Sequence, residues 1–492
     1  MSLSQASVAG DITADISLIF VDLDGTLIAT DLLVEGIISA VHRDFRTLYR
    51  LPKWVLKGRS SFKARIEECV EIDASHLPYR QDLLEFLRAR KAEGVRIVLA
   101  TASPRSWAAA VANELKLFDD IITSDAQTNL KGSKKLAAIE EYSREHRIDH
   151  WGYVGDDHND VCIWKAASAI YVVARKRSVL KELQPAGTPT AVFQPCHSIA
   201  LATIRALRPQ QWIKNSLVFI PLIASHSFAN INKLVLSSLA FVCYSACASS
   251  IYIANDLLDL DSDRCHPKKA RRPFASGALP VAYGPPLSAF LFIFGMALSL
   301  LSPNLLFPEI LLSYVILSTL YSCWLKTKPI IDVIVLAMLY TLRVFAGGAA
   351  AEIPISEWLM AFSLFLFTSL AFAKRHAELR RLLSENRRSA ARRGYLVTDL
   401  RLLEVMGAAS GYLAVLVIAL YIHSPETSLI YRHPQVLWLV CPLLLYWVSR
   451  LWLFAARGFL DEDPLVYTLT DRVSLIVAVL TVSIVSIGVL NW

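Results

Sequence analysis

SSIYIANDLLDLDSDRCHPKKARRPFASG, residues 249–277, begins as an apolar helix and ends as a loop of cations. At about 100° per residue, Asp256, Asp259 and Asp263 fall within a roughly 60° arc of one helix face. Tyr252 joins that arc and Asp261 points away. Carboxylates crowded at a helix end repel one another unless a divalent cation neutralises them, and Mg²⁺ bridging carboxylates and substrate phosphates is the natural occupant. Arg264, Lys268, Lys269, Arg271 and Arg272 follow at once and suit phosphate binding, although positive charge beside a membrane helix also serves orientation. Acids and bases in that order fit a magnesium-diphosphate better than a bare cation.

Apolar runs of roughly 17–23 residues surround this segment, each long enough to cross a hydrocarbon core of about 30 Å as a helix. Nine are expected, near 213–229, 232–254, 282–302, 305–324, 330–350, 356–373, 401–422, 434–455 and 472–490. The 492 residues are 54% hydrophobic and 19% charged, with mean hydropathy +0.43, which excludes a disordered chain and an ordinary soluble enzyme. Lys and Arg exceed Asp and Glu by 50 to 43, too mild an excess to imply nucleic acid. Eight cysteines without a CxxC pair indicate neither a zinc ribbon nor a disulfide framework.

The basic loops DRCHPKKARR (263–272), KTKP (326–329), KRHAELRRLLSENRRSAARR (374–393) and RGFLDEDPLVYTLTDR (457–472) fall on one side, expected to be cytosolic. An odd number of spans then puts Trp492 outside. The N-terminus shows no signal peptide, so residues 1–200 are expected in the cytosol of a bacterial inner-membrane protein. The expected division is a soluble domain over 1–185, a linker and membrane approach over 186–211, and a membrane domain over 212–492.

Within the soluble half, ISLIFVDLDGTL (16–27) is a β-branched strand ending in Asp22 and Asp24, two residues apart and so on one side of its tip. Such a tip is where α/β sheets bind ligands. VRIVLATAS (95–103) offers Thr101, NLKGSKK (129–135) offers Lys131 or Lys134, and HWGYVGDDHND (150–160) offers Asp156 and Asp160. Two carboxylates, a hydroxyl, a lysine and a Mg²⁺ site are the parts that phosphoryl transfer to aspartate needs.

Order and spacing of these four motifs closely resemble the haloacid dehalogenase superfamily, an α/β Rossmann-like fold. The resemblance implies Asp22 as nucleophile, Asp24 as general acid/base, Thr101 and Lys131 (with Lys134 in reserve) on phosphate, and Asp22, Asp24, Asp156 and Asp160 around Mg²⁺. It also implies a small helical cap over about 30–90.

Asn255-Asp256-x-x-Asp259-x-x-x-Asp263 resembles the first signature of the UbiA-type membrane prenyltransferases, whose fold is an all-α bundle of nine transmembrane helices. The resemblance implies Asp256, Asp259 and Asp263 as magnesium-holding catalytic residues beside Asn255. The second signature departs from the usual aspartate pair. YSCWLKTKPIIDVIVLAMLYTLRVFAGG (321–348) has Tyr321, Lys326 and a single Asp332, with Arg343 on the same helix face about 16 Å deeper. Arg343 reads either as a substrate ligand or as half of a buried ion pair.

With RPQQWIKN (208–215) and HPKKARRPFASG (266–277), this form looks most like the decaprenyl-phosphate 5-phosphoribosyltransferases. The implied reaction transfers 5-phosphoribose from phosphoribosyl diphosphate (PRPP) to a polyprenyl phosphate, with Mg²⁺ in both domains. The soluble phosphatase would then remove the ribose 5-phosphate. The extra phosphate of PRPP calls for more cations, for which Lys268, Arg271, Arg272, Lys374 and Arg375 are the nominees; anionic lipid could equally claim the 374–393 loop. The competing reading is prenyl transfer from a prenyl diphosphate to an aromatic or polar acceptor, with the phosphatase acting elsewhere.

Overall fold

The computed structural model describes residues 16–124, 130–173, 182–183, 188–194, 198–227, 229–385, 394–425, 427, 431–460 and 463–489. These fold as two compact units. The first comprises the described parts of Met1–Leu207 with Tyr252–Ser288, and the second those of Arg208–Ile251 with Ala289–Trp492.

The first unit is built on a six-stranded parallel sheet of β1 (Leu18–Val21), β2 (Arg96–Pro104), β3 (Asp120–Ser124), β4 (Trp151–Gly155), β5 (Ala169–Val173) and β6 (Ala191–Phe193), in the order β3-β2-β1-β4-β5-β6. All four residues of β1 are buried, as a parallel strand covered on both faces requires. Ile19 and Val21 join one core with Trp107 and Leu83, while Leu18 and Phe20 join another with Ile139, Tyr142 and Trp164. Because β1 has β2 on one side and β4 on the other, the crossovers diverge at its carboxyl end and leave a crevice there.

Between β1 and β2 stand α1 (Leu32–Arg43), α2 (Thr47–Leu56), α3 (Arg59–Cys69) and α4 (Gln81–Ala92). The Asp31 carboxylate caps α1 by accepting from Leu33 and Val34 N–H. After β3 and β4 come α6 (Ser133–Glu145) and α7 (Val161–Ala166), and α5 (Arg105–Leu115) follows β2. Strand β6 lies inside the stretch expected to be linker: three residues among prolines show no periodicity, yet Ala191 and Phe193 bury themselves by pairing with β5.

Eight helices among the described residues are long and apolar enough to cross a membrane, so this is an integral membrane protein. They are Ile231–Leu258, Val281–Ser299, Leu306–Cys323, Ile331–Ala350, Glu357–Ser384, Val397–Ile422, Pro434–Arg457 and Arg472–Val489. Phe290, Ile293, Leu416 and Val479 stand exposed along them, as a lipid-facing surface requires.

The span expected over 213–229 is not one long α-helix. Pro209–Phe219 winds as a 3₁₀-helix and Ile220–Ala224 as a short α-helix. At about 2.0 Å per 3₁₀ residue and 1.5 Å per α residue the two still cover roughly 30 Å. This segment packs by backbone: a Cβ on Gly347 would collide with the Val218 carbonyl oxygen.

Gly407 plays the same part between Val397–Ile422 and Pro434–Arg457, where its missing Cβ leaves room for the Trp452 ring and for Phe372 Cβ at 2.8 Å. Gly407→Val should therefore overpack the bundle by about 1–3 kcal/mol. The expected result is a lower thermal midpoint in detergent, read by fluorescence-detected size exclusion; an unchanged midpoint would refute this close approach.

Candidate active sites

Asp22 follows the last residue of β1, with its N–H on the Val154 carbonyl at 3.0 Å. Lys135 Nζ lies 2.9 Å from Asp22 Oδ1 and 3.9 Å from Asp160 Oδ1, and it donates to Tyr153 Oη at 3.1 Å. Tyr153 Oη in turn donates to Asp160 Oδ1 at 2.8 Å. Burial pushes the Asp22 carboxyl up to about 6, with Lys135 pulling it back and the Asp160 charge adding to the rise. The same two carboxylates raise the Lys135 ammonium against a burial that would lower it.

Asp24 is held apart from this group. Its Oδ1 accepts from Leu32 N–H at 2.8 Å and its Oδ2 from Ser103 Oγ at 2.5 Å. Burial first, and then the Asp31 charge, lifts it to about 7, so near neutrality its protonated and ionised forms coexist.

Asp22, Asp156 and Asp160 bring ligand oxygens within 4.8 Å of one another, an all-carboxylate set that fits a hard divalent cation. Asp24 is not of this set, contrary to expectation, because its oxygens face Leu32 and Ser103. Gly25, at φ +79°, makes room for it: a Cβ there would meet the Asp156 carboxylate.

A cavity of about 670 Å³ opens over these groups, lined by Asp22, Asp24, Ser103, Lys131, Lys135 and Asp156 among others, with Lys63 of α3 and, from much later in the chain, Pro280–Tyr283. Lys63 Nζ donates to the Ala102 carbonyl at 2.6 Å. Two expectations change here. Thr101 is fully buried, accepts from Ser103 N–H and does not line the cavity, which Ser103 does. Lys131 is exposed, 3.7 Å from Asp157, and Lys134 is exposed, so neither reaches Asp22.

Segment 252–288 folds into this same unit. Asp256 and Asp263 are buried and share one guanidinium nitrogen: Arg272 Nη1 lies 3.0 Å from Asp256 Oδ1 and 2.5 Å from Asp263 Oδ2. Burial raises the Asp263 carboxyl and Arg272 opposes it. Lys269 Nζ stands 4.0 Å from Asp263. Asp259 ends the long helix and begins the short Leu260–Arg264 turn, while half-buried Asn255 supplies the carbonyl for Asp259 N–H at 2.9 Å.

The expected three-carboxylate cage is thus a two-carboxylate clamp on an arginine. Among the described residues, the Asp22 trio is the one such group whose ligand oxygens converge. The clamp's chemistry still suits positive charge held by acids. Lys268 and Arg271 are exposed beside it. Arg264 turns away, its guanidinium forming a buried bidentate pair with Glu35 of α1 at 2.8 and 2.6 Å.

In the second unit Asp332 is fully buried. Arg375 Nε lies 2.5 Å from its Oδ2, and Tyr395 Oη donates to its Oδ1 at 2.6 Å. Arg375 also donates to Tyr321 Oη at 2.5 Å and to Glu378 Oε2 at 2.8 Å. Asp332 is therefore joined to Arg375 and Tyr321. Arg343 has met neither an anion nor a carboxylate in these contacts: it donates to Asn215 Oδ1 at 2.9 Å and Tyr314 Oη at 3.0 Å, with the rings of Tyr314, Tyr340 and Tyr244 at 4.7, 5.7 and 5.9 Å.

Lys374 lies 3.9 Å from Asp463, a residue the sequence did not single out, and Lys214 pairs with the same carboxylate. Burial alone would raise Asp463, but Lys374 and Lys214 hold it below the usual carboxylate range. Lys326 is half-buried in the turn Leu325–Thr327. Residues 386–393 of the basic loop lie outside the described residues.

The model of the UbiA prenyltransferase family matches residues 216–469, just over half the chain. The chain belongs to the UbiA prenyltransferase family. The haloacid dehalogenase-like hydrolase model matches residues 19–165, which places the Asp22 site in a domain of that superfamily. The chain is similar along its whole length to the uncharacterized protein y4nM of Sinorhizobium fredii, at 32% identity over 94% of this chain and 89% of that one. Nodulation protein NoeC of Azorhizobium caulinodans is 35% identical over 55% of this chain and 88% of its own length. A decaprenyl-phosphate phosphoribosyltransferase of Mycobacterium tuberculosis is 31% identical over 44% of this chain and 74% of its own.

In the haloacid dehalogenase-like domain, the signal that could have found Lys135 was its helix face. Lys135, Ile139 and Tyr142 follow i, i+4 and i+7, so the lysine shares the stripe that α6 turns to the sheet, and Lys134 does not. Lys135→Met leaves two buried carboxylates uncompensated. It should cut p-nitrophenyl phosphate hydrolysis by full-length protein by about a hundredfold or more, whereas Lys131→Met and Lys134→Met stay within a few-fold of wild type. Equal losses at all three positions would refute the assignment.

Proposed function

We propose that this UbiA-family enzyme transfers 5-phosphoribose from PRPP to a polyprenyl phosphate and that its haloacid dehalogenase-like domain then hydrolyses the ribose 5-phosphate. The observation that carries the first step is the Arg272 clamp on Asp256 and Asp263, with Lys268, Lys269 and Arg271 beside it. A guanidinium held by two acids is a ready phosphate ligand, and Asp256 and Asp263 would hold a divalent cation that supplies further positive charge for a diphosphate. The similarity to decaprenyl-phosphate phosphoribosyltransferase supports a sugar diphosphate as donor rather than a prenyl diphosphate.

On this reading a lipid phosphate oxygen bonds to ribose C1 as the C1–O bond to diphosphate breaks. The products are polyprenyl-phosphoryl-5-phosphoribose and diphosphate. Basic residues at 268–272 bind the leaving group and stabilise its growing charge. In the second step an Asp22 oxygen attacks the 5-phosphorus, Asp24 protonates the departing ribose oxygen, and Asp24 then takes a proton from the water that releases phosphate from Asp22. Lys135 holds Asp22 in place throughout. A divalent cation bound by Asp22, Asp156 and Asp160 would supply positive charge for the phosphate oxygens. Both steps stand on the cytosolic side in this reading, and fusion keeps the phosphatase close to its lipid-borne substrate.

Asp332, Arg375 and Tyr321 are proposed to act as a packed support rather than as ligands, since their hydrogen bonds bind them to one another. Lys326 and Lys374 are proposed as cations of the second unit that bind phosphate groups, while Arg343 is held by Asn215 and Tyr314.

Full-length protein given radiolabelled PRPP, Mg²⁺ and polyprenyl phosphate should form a labelled lipid, resolved by mass spectrometry as the dephosphorylated ribosyl product. Asp22→Asn should accumulate the 5-phosphorylated lipid instead, and Asp256→Asn should lower total labelled lipid by about a hundredfold. The same lipid from Asp22→Asn and wild type would refute the second step. Label entering lipid from a prenyl diphosphate and not from PRPP would refute the first.

A further inference from the structure

Helix α2 and the turn before it present three different faces. Thr47, Leu51 and Trp54, at i, i+4 and i+7, pack against the core of the unit. Arg46, Arg50, Lys53 and Lys57, at i, i+4, i+7 and i+11, form a second, exposed stripe. Phe45, Leu48, Tyr49 and Leu56 form the third, and they too are exposed, at 64, 45, 76 and 87%. Phe45 and Tyr49 meet edge to face at 6.1 Å, so the apolar stripe is organised rather than a scatter of side chains. Over 43–59 the only acid is Asp44, 3.6 Å from Arg50.

Large apolar side chains kept in water beside a row of cations are costly for a soluble surface, and they match the boundary between acyl chains and anionic headgroups. The unit itself reaches that boundary, because it includes Tyr252–Ser288, in which the membrane helix Ile231–Leu258 ends and Val281–Ser299 begins. Val55, next to Leu56 on the same helix, lines the cavity above Asp22. A surface that seats this helix therefore also stands at the entrance to the phosphatase site.

We propose that α2 docks on an anionic bilayer through Phe45, Leu48, Tyr49 and Leu56, with Arg46, Arg50, Lys53 and Lys57 on the headgroup phosphates. The haloacid dehalogenase-like site thereby takes phosphomonoesters carried on membrane lipids in preference to soluble ones. The preference for lipid-borne substrate rests on the reaction proposed above; the docking surface itself does not.

Hydrogen–deuterium exchange on the full-length protein tests the surface directly. Peptides covering 45–57 should exchange about tenfold more slowly in phosphatidylglycerol-containing nanodiscs than in uncharged detergent. Tyr49→Ser with Leu56→Ser should abolish that protection while p-nitrophenyl phosphate hydrolysis stays within twofold of wild type, which shows the domain folded. Tyr49→Trp with Leu56→Ile should keep it. The Ser variant should also lose about tenfold in hydrolysis of the lipid-borne ribose 5-phosphate.

Equal exchange in nanodiscs and detergent overturns the docking surface. Protection that appears in detergent and grows with protein concentration overturns it in favour of contact between chains. Protection confined to nanodiscs, in a protein that leaves the lipid-borne phosphate intact, upholds the surface and overturns the proposed hydrolysis.

Discussion

A carboxylate taken out of water must find a cation, and this chain meets that requirement several times with a single buried or half-buried base. Lys135 serves Asp22 and Asp160, Arg272 serves Asp256 and Asp263, and Arg375 serves Asp332. Removing one base would take the nearest cation from two acids in each of the first two cases, which makes each base the keystone of its cluster. The clusters differ in what surrounds the base. Lys135 and Arg272 stand beside free space or a cationic loop, whereas Arg375 is closed in by Tyr321 and Glu378.

That difference separates groups able to exchange partners from groups that hold the bundle. Burial raises Asp22 and Asp24 alike, but Lys135 and Asp160 act on the first, whereas Asp31, Leu32 and Ser103 act on the second. Two acids with different environments and partners acquire different tasks. Asp332 has no such latitude among its two hydrogen-bonded partners.

The unit that carries the Asp22 site also contains the aspartate loop of the UbiA-family sequence. Arg264, one residue past Asp263, is buried against Glu35 of α1, Gly277 lies against Ala29, and Pro280–Tyr283 border the cavity over Asp22. Glu35 lies in α1, so the loop that bears Asp256 and Asp263 and the helices between β1 and β2 share one ion pair.

The sequence by itself determined the two families, the sheet, the apolar helices and the positions of the acids. Periodicity, strand tips and one-sided spacing are local properties, and Asp22, Asp156, Asp160, Asp256 and Asp263 all stood out by them. Only the tertiary structure decided which partner each acid takes. Lys135 instead of Lys131, Ser103 instead of Thr101, and Arg272 between two aspartates depend on where separate elements converge. So do the Asp332–Arg375 pair and the tyrosine cage around Arg343. The first apolar run became a 3₁₀ segment, and the linker yielded a strand, for the same reason: Val218 against Gly347 and β6 against β5 are contacts between distant parts of the chain, which no local pattern encodes.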